Sequence, residues 1–159
     1  MERGVNFVVD EPIMLDHLVR SVVAAEMRRG TARPVLRVQP GVSVVRGEGT
    51  YVEQVLSNLL RNAAKYGQAP IEVRVEPDDG GVAVRVLDSG PGFTAQPESL
   101  FQLYFREAGA HKQASGAGIG LFVCRELVRL MGGRIWAANR PDGGAEFGFT
   151  LPLYPIEPA

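Results

Sequence analysis

Four polar side chains on one predicted helix could bind a phosphorylated ligand together with a metal ion. At ~100° per residue, Asn58, Asn62 and Lys65 fall on one stripe of a helix predicted over residues 50–66, with Tyr66 at its edge. One amide oxygen can suffice for Mg²⁺, which takes its other ligands from phosphates and water. The lysine offers a positive charge to phosphate oxygens, and the tyrosine could stack on a base. The same stripe is also typical of a solvated helix face.

A carboxylate follows a predicted strand and precedes two glycines in the sequence Asp88-Ser89-Gly90-Pro91-Gly92-Phe93. Asp88 could accept a hydrogen bond from an exocyclic amine such as that of adenine. Gly90 and Gly92 would let the backbone approach a flat ring without β-carbons in the way. A plain turn is the alternative, because Asp, Ser, Gly and Pro are the commonest turn residues.

Three alternating glycines, Gly116, Gly118 and Gly120, open the last predicted helix, over residues 119–131. A helix N-terminus binds phosphate through its free N–H groups and the positive end of its dipole. The spacing lacks the Rossmann pattern G-x-G-x-x-G and the Gly-Lys-Ser/Thr ending of a P-loop, so both of those nucleotide folds are disfavoured. A flexible hinge is the alternative interpretation.

Helices and strands joined mostly by hairpins must position these segments. Hydrophobic spacing predicts helices over 12–29, 50–66 and 119–131, and strands near 34–39, 42–46, 71–76, 82–86, 134–139 and 145–151. Pro12 is expected in the first turn of the first helix and Thr50 at the N-cap of the second. Residues 88–118 are predicted to be irregular around a short helix near 98–104, and connections of that length are usually functional. This order predicts an α+β two-layer sandwich.

The composition is that of an ordinary globular domain. The 159 residues are 45% apolar and 22% charged, with a net charge of −1, and no linker divides them. A single domain over 1–159 is expected, without electrostatic attraction to nucleic acid or to an anionic membrane. One cysteine excludes an internal disulfide framework and a cysteine-based zinc site. No apolar run could span a membrane, and the start lacks a signal-peptide core. A cytoplasmic location is expected for this domain, whether or not the parent protein is membrane-anchored.

Taken in order, these segments resemble the catalytic and ATP-binding domain of bacterial sensor histidine kinases, in the GHKL superfamily with its Bergerat ATP-binding fold. Residues 55–66 are similar to the family's N box, 88–93 to its G1 box, 100–106 to its F box and 116–121 to its G2 box. The resemblance covers about residues 10–153. It implies a mixed, mostly antiparallel sheet of about five strands packed on three helices.

The resemblance implies roles for the residues of the first two boxes. Asn62 would coordinate Mg²⁺ with Asn58 beside it, and Lys65 would contact the phosphates of ATP. Tyr66 would lie against the adenine, and Asp88 would hold its amine. Gly90 and Gly92 would give the base room.

The remaining boxes complete the implied site. Residues 93–115 would form the ATP lid. The other residues assigned to ATP binding are Phe101, Arg106, Gly116, Gly118, Gly120 and Leu121, of which Arg106 is a candidate for the γ-phosphate. Asn58, Lys65 and Arg106 are the catalytic assignments. Hydrolytic relatives usually carry a glutamate base at the position of Asn58, and an amide cannot accept a proton at neutral pH.

The family's phosphoacceptor histidine lies on a dimerisation domain, and this chain lacks a clear equivalent. His17 is followed by Leu18-Val19-Arg20, with no acidic residue directly after it to act as base, and His111 falls in the expected lid. The resemblance implies phosphoryl transfer to a dimerisation and phosphoacceptor domain of the parent kinase, a response regulator as a further partner, and a monomeric isolated domain. The alternatives are an anti-sigma-factor type of serine kinase and a non-catalytic nucleotide-sensing module. Cys124 and Trp136 are expected in the core.

Overall fold

A five-stranded sheet is covered on one face by helices. The computed structural model describes residues 10–41, 44–103, 105 and 120–155. The strands are β1 (Glu11–Ile13), β2 (Val35–Val38), β3 (Val45–Gly47), β4 (Glu72–Asp78), β5 (Gly81–Leu87), β6 (Ile135–Asn139) and β7 (Ala145–Pro152). The helices are α1 (Leu15–Arg28), α2 (Gly49–Tyr66) and α3 (Gly120–Leu130), and a short 3-10 helix spans Pro97–Phe101.

The strand order of the large sheet is β2-β4-β5-β7-β6. The β2–β4 pair is parallel, and β4–β5, β5–β7 and β6–β7 are antiparallel. β1 and β3 pair separately as a short antiparallel ribbon. The prediction of an α+β sandwich with a mixed, mostly antiparallel sheet on three helices is therefore confirmed for the described residues.

Side chains alternate along the strands between a face of the sheet that is buried against the helices and a face that is turned toward solvent. Val73, Val75, Val84 and Val86 are buried and join a single hydrophobic core with the apolar stripes of the three helices. Each such side chain contributes roughly 1.5–3 kcal/mol when it is fully removed from water. Cys124 is fully buried in this core, and burial raises the pKa of its thiol to about 12. The interpretation of Cys124 as a core residue is confirmed.

The opposite face carries ion pairs around the single tryptophan. Arg85 lies 2.7 Å from Glu76 and 2.6 Å from Glu146. The guanidinium groups of Arg85 and Arg134 lie over the ring of Trp136, at 5.1 and 5.0 Å from its centre. Nε1 of Trp136 donates to Glu146 at 2.8 Å. The expectation that Trp136 belongs to the core is therefore wrong: cation–π contacts hold it on the outer face.

Two predicted element starts are also wrong. Pro12 pairs with Arg46 in the β1–β3 ribbon and does not lie in α1, which begins at Leu15. Glu48 is the N-cap of α2, where its side chain accepts hydrogen bonds from the backbone N–H and the hydroxyl of Thr50. These bonds lower the pKa of Glu48. None of the described helices is long and apolar enough to cross a membrane.

Candidate nucleotide-binding site

The end of α2 and the end of β5 meet where the sequence places Asp88. Gly67 follows α2, and a β-carbon on Gly90 would lie 2.7 Å from the Cα of Gly67. The backbone N–H of Ser89 donates to the carbonyl of Gln68 at 2.9 Å. The two predicted segments thus form one surface, although they are separated by a hairpin in the sequence.

Asp88 is buried, and its two carboxylate oxygens have different surroundings. Oδ1 accepts hydrogen bonds from the backbone N–H groups of Gly90, at 2.8 Å, and Ala145, at 3.3 Å. Among the described residues, none donates a hydrogen bond to Oδ2. A β-carbon on Gly67 would lie 2.6 Å from Oδ2, so the glycine leaves space at that oxygen. This arrangement fixes the carboxylate and leaves one oxygen able to accept from a ligand.

The polar stripe of α2 lies beside the N-terminus of α3. Nδ2 of Asn58 donates to the carbonyl of Gln54 at 3.0 Å, which fixes the orientation of the amide. A β-carbon on Gly120, the first residue of α3, would lie 2.9 Å from Oδ1 of Asn58. The glycine therefore allows the positive end of the α3 dipole to approach the stripe, as an anion site requires.

Asn62, Lys65 and Tyr66 continue the stripe toward solvent. Asn62 is half-buried, Lys65 is exposed, and Tyr66 is 40% exposed. The amide of Asn62 makes no hydrogen bond to another described residue, so its oxygen is available as a ligand. Such a donor set fits Mg²⁺ carried by a polyphosphate, because this ion keeps water and phosphate oxygens as most of its ligands.

Phe101 and Leu121 both pack against other apolar side chains. Phe101 is 4% exposed and packs edge-on against Phe147, with ring centres 6.5 Å apart. Phe93 packs on the same ring at 6.1 Å. Leu121 is partly buried against the hydrophobic core. The assignment of Phe101 and Leu121 to nucleotide binding stays a prediction.

Arg106, Gly116 and Gly118 lie outside the described residues, as do residues 104 and 106–115 of the expected lid over 93–115. Their assigned roles stay predictions. His17 is exposed on α1.

Sequence reasoning missed several residues that hold Asp88 and its loop. Gly144 has a φ of +97°, and a β-carbon on it would collide with the carbonyl oxygen of Asp88. Arg140 donates to that same carbonyl oxygen at 2.7 Å. Gly67 could have been found from its place directly after the polar stripe, whereas the others act over long sequence separations that no local pattern reveals.

Comparison with known proteins agrees with the geometry. Residues 47–155 match the profile of a family described as histidine kinase-, DNA gyrase B- and HSP90-like ATPases. The chain is 36% identical over 112 residues to the signal transduction histidine-protein kinase AfsQ2 of Streptomyces coelicolor, covering 68% of this chain and 20% of that protein. It is 34% identical over 145 residues to the sensor protein KdpD of Escherichia coli, covering 89% of this chain and 16% of that protein.

Solved structures share the fold. The mycobacterial sensor histidine kinase MprB superposes with a TM-score of 0.73 at 26% identity, over 93% of this chain and 100% of that chain. By contrast, the chain spans a fifth or less of the length of the two curated relatives.

Proposed function

The chain belongs to the family of histidine kinase-, DNA gyrase B- and HSP90-like ATPases, and from this premise we propose that it is the part of a sensor kinase that binds Mg²⁺-ATP and presents the γ-phosphate to a histidine. The fold and the ATP-binding character follow from the family. The magnesium ion, the acceptor and the parent protein are the steps that the proposal adds.

The observation that carries the proposal is the carboxylate of Asp88. It is buried beside two glycines, with one oxygen occupied by backbone N–H groups and the other facing the space that Gly67 leaves. A buried acceptor in a narrow, glycine-walled space fits the exocyclic amine and flat ring of adenine. Tyr66 offers an aromatic surface at the edge of the same region.

The phosphate end of the nucleotide would lie along α2 toward α3. Asn62 would supply an amide oxygen to Mg²⁺, and the bound ion would neutralise charge on the phosphate oxygens. Lys65 and the N-terminus of α3 at Gly120 would hold the phosphates. Gly116 and Gly118 would extend this cradle, and Arg106 would stabilise the charge that develops on the γ-phosphoryl group.

Asn58 favours transfer to a protein acceptor over hydrolysis. A neutral amide cannot remove a proton from water, and its Nδ2 is already committed to the carbonyl of Gln54. Bound ATP would therefore stay intact until the imidazole of the acceptor histidine reaches the γ-phosphate. The bond between that nitrogen and the γ-phosphorus forms as the bond to the β–γ bridging oxygen breaks, and ADP leaves.

The partners follow from the same step. The acceptor histidine would belong to a dimerisation domain outside this chain, and the phosphorylated histidine would pass its phosphoryl group to a response regulator. We place the domain in the cytoplasm, where ATP is available, as a monomer when isolated.

Calorimetry tests the binding step. A non-hydrolysable ATP analogue is titrated into the chain with and without Mg²⁺. The expected result is 1:1 binding that Mg²⁺ strengthens. No binding with Mg²⁺ present would overturn the proposal.

A transfer assay tests the acceptor. The chain and γ-labelled ATP are mixed with a dimerisation domain of the sensor-kinase type, alongside a version whose histidine is changed to alanine. Label that is lost in acid but kept in alkali, and only with the intact histidine, is expected. An acid-stable product would indicate a hydroxyl acceptor and contradict the histidine assignment.

A further inference from the structure

The β6–β7 hairpin contacts both ends of the loop from Asp88 to Phe93. At one end, Nη1 of Arg140 donates to the carbonyl oxygen of Asp88 at 2.7 Å. At the other end, the amide of Asn139 makes two hydrogen bonds to the backbone of Phe93: Oδ1 accepts from its N–H at 2.9 Å, and Nδ2 donates to its carbonyl at 2.8 Å. Two adjacent side chains thus tie down a six-residue segment that contains two glycines.

Backbone contacts of the same hairpin add to this hold. The N–H of Asp88 donates to the carbonyl of Ala145 at 3.0 Å, and the N–H of Ala145 donates to Oδ1 of Asp88 at 3.3 Å. Gly144 permits this approach, because any β-carbon there would collide with the carbonyl oxygen of Asp88. The hairpin therefore fixes both the main chain and one carboxylate oxygen of Asp88.

The loop needs an external restraint. Gly90 and Gly92 give it more conformational freedom than other residues would. Gly92 adopts a φ of +78°, and a β-carbon on it would collide with Oδ1 of Asn139, so the Asn139 contact requires glycine at this position. A recognition loop that is ordered before its ligand arrives binds more tightly, because binding then loses less conformational entropy.

We propose that Asn139 and Arg140 are positioning residues for base recognition: by clamping the two ends of the Asp88–Phe93 loop, they keep the second carboxylate oxygen of Asp88 aimed at the exocyclic amine of the base. The inference rests on the proposed function, because it assigns the nucleotide base to this loop. Neither residue needs to touch the nucleotide.

The first test measures base discrimination in Asn139→Leu and Arg140→Met. Asn139→Leu keeps the branched shape of the side chain, Arg140→Met keeps an unbranched apolar stem, and both remove the hydrogen bonds. Dissociation constants are measured by calorimetry for ATP and for inosine triphosphate, which has a carbonyl where adenine has its amine. Because both ligands carry the same phosphates, their ratio cancels any effect of the lost Arg140 charge. The preference for ATP is expected to fall about three- to tenfold in each variant, the size expected for a misplaced hydrogen bond.

The matched control is Asp142→Asn, an exposed position in the turn of the same hairpin. It should keep the wild-type preference. A preference unchanged in Asn139→Leu and Arg140→Met would overturn the inference, since a purely structural role would alter stability without altering the choice of base.

The second test does not depend on a nucleotide. Hydrogen exchange of the Phe93 amide, followed by NMR on the unliganded chain, should accelerate at least about tenfold in Asn139→Leu and stay unchanged in Asp142→Asn. Equal exchange in Asn139→Leu and wild type would overturn the clamp. If the clamp is present but wild type binds neither triphosphate, the proposed function is wrong and the base-recognition role falls with it.

Discussion

At the scale of single residues, Asp88 is the most constrained polar group of the site. Its Oδ1 is satisfied by Gly90 and Ala145, and its main chain is held by Arg140. A buried carboxylate is costly unless hydrogen bonds compensate for lost water. A ligand that donates to Oδ2 would supply the contact that this oxygen lacks among the described residues, and for that reason we expect the position to discriminate between ligands.

Asp88→Asn should weaken ATP binding with little loss of stability. The amide oxygen can still accept from Gly90 and Ala145, but its NH₂ group would replace Oδ2 and face the amine of the base. Two donors cannot pair, so a loss of about 10- to 100-fold in affinity is expected, the range for a hydrogen bond to a charged group. Calorimetry measures it, with Asp142→Asn as the control for the same change of charge. Unaltered affinity in Asp88→Asn would contradict the base-binding role.

Gly67→Ala should impair binding for a purely steric reason. The φ of Gly67 is −98°, which alanine adopts without strain. The new β-carbon would lie 2.6 Å from Oδ2 of Asp88 and 2.7 Å from the carbonyl oxygen of Ala63. We expect affinity for ATP to fall at least about tenfold and stability to fall by about 1–3 kcal/mol, as overpacking does.

Gly49→Ala is the matched control for this substitution. Gly49 begins α2, and a β-carbon there meets no heavy atom within 4 Å. It should leave ATP binding unchanged and raise the free energy of unfolding by up to about 1 kcal/mol. Calorimetry and urea unfolding of the two variants test the pair. Wild-type binding by Gly67→Ala would show that the space at Asp88 is not used.

The sequence predicts the role of a site residue where that role depends on neighbouring residues, and it does not where the role depends on contacts with distant parts of the chain. Asp88 and the α2 stripe follow from helical periodicity and from glycines next to a carboxylate. Asn139 and Arg140 act on residues 46 and 52 positions away, and nothing in the sequence around them distinguishes them from other turn residues. Their roles depend on a strand pairing that only the folded sheet reveals.

At the scale of elements, α1 and α2 are joined by a buried charge. The side chain of Glu26 is fully buried, and its Oε2 lies 2.8 Å from Arg29, the residue that follows α1, and 3.2 Å from Arg61 on α2. Burial alone would raise the pKa of Glu26, but hydrogen bonding by Thr31 and the charge and hydrogen bond of Arg61 lower it below 4.5. The ionised form therefore ties the helix that carries the polar stripe to its neighbour.

The stability of the chain should carry the pH dependence of this group. The pKa of Glu26 is lower in the folded chain than the ordinary value of 4.5. Its ionised side chain therefore contributes to the free energy of unfolding above pH 4.5, and this contribution is lost as the pH falls through the lower pKa of the folded state. Glu26→Gln should lower the free energy of unfolding by about 1–3 kcal/mol at pH 7. The difference in this free energy between the variant and wild type should become smaller from pH 5 toward pH 3. Urea unfolding across this range measures it.

The exposed Glu53→Gln, on α2, is the control for this experiment and should follow the wild-type curve. Glu48 and Glu72 also have lowered pKa values, but they contribute equally to wild type and to both variants. A gap between wild type and Glu26→Gln that stays constant with pH would contradict the assignment.

Element types followed from sequence periodicity, but two starts were displaced by pairing and capping. Pro12 suits the first turn of a helix, yet it lies in β1 because the backbone around it pairs with β3. Thr50 suits an N-cap, yet the N-cap is Glu48, whose longer side chain accepts a hydrogen bond from the backbone N–H of Thr50. In both cases local propensity pointed to the right region, and a contact with another residue decided the boundary.

At the scale of the whole molecule, the site exists only in the folded chain. Its described parts come from the end of α2, the end of β5, the start of α3 and the β6–β7 hairpin. Residues as far apart in the sequence as 58, on the helix stripe, and 145, at the Asp88 loop, therefore belong to one site. A ligand that needs all of these parts binds the native state and not the unfolded one. Binding must then stabilise the whole domain.

ATP with Mg²⁺ should therefore raise the unfolding midpoint. At a free concentration 100 times the dissociation constant, the gain is about 2.7 kcal/mol, or about 5–10 °C for a domain of this size. Trp136, the single tryptophan, reports the transition, because unfolding removes it from Arg85, Arg134 and Glu146. Since stabilisation grows with the logarithm of ligand over dissociation constant, a tenfold weaker Asp88→Asn should show about half of the wild-type shift at the same concentration. Asp142→Asn should show the full shift, and an unchanged wild-type midpoint at millimolar ATP would contradict a nucleotide site assembled from these elements.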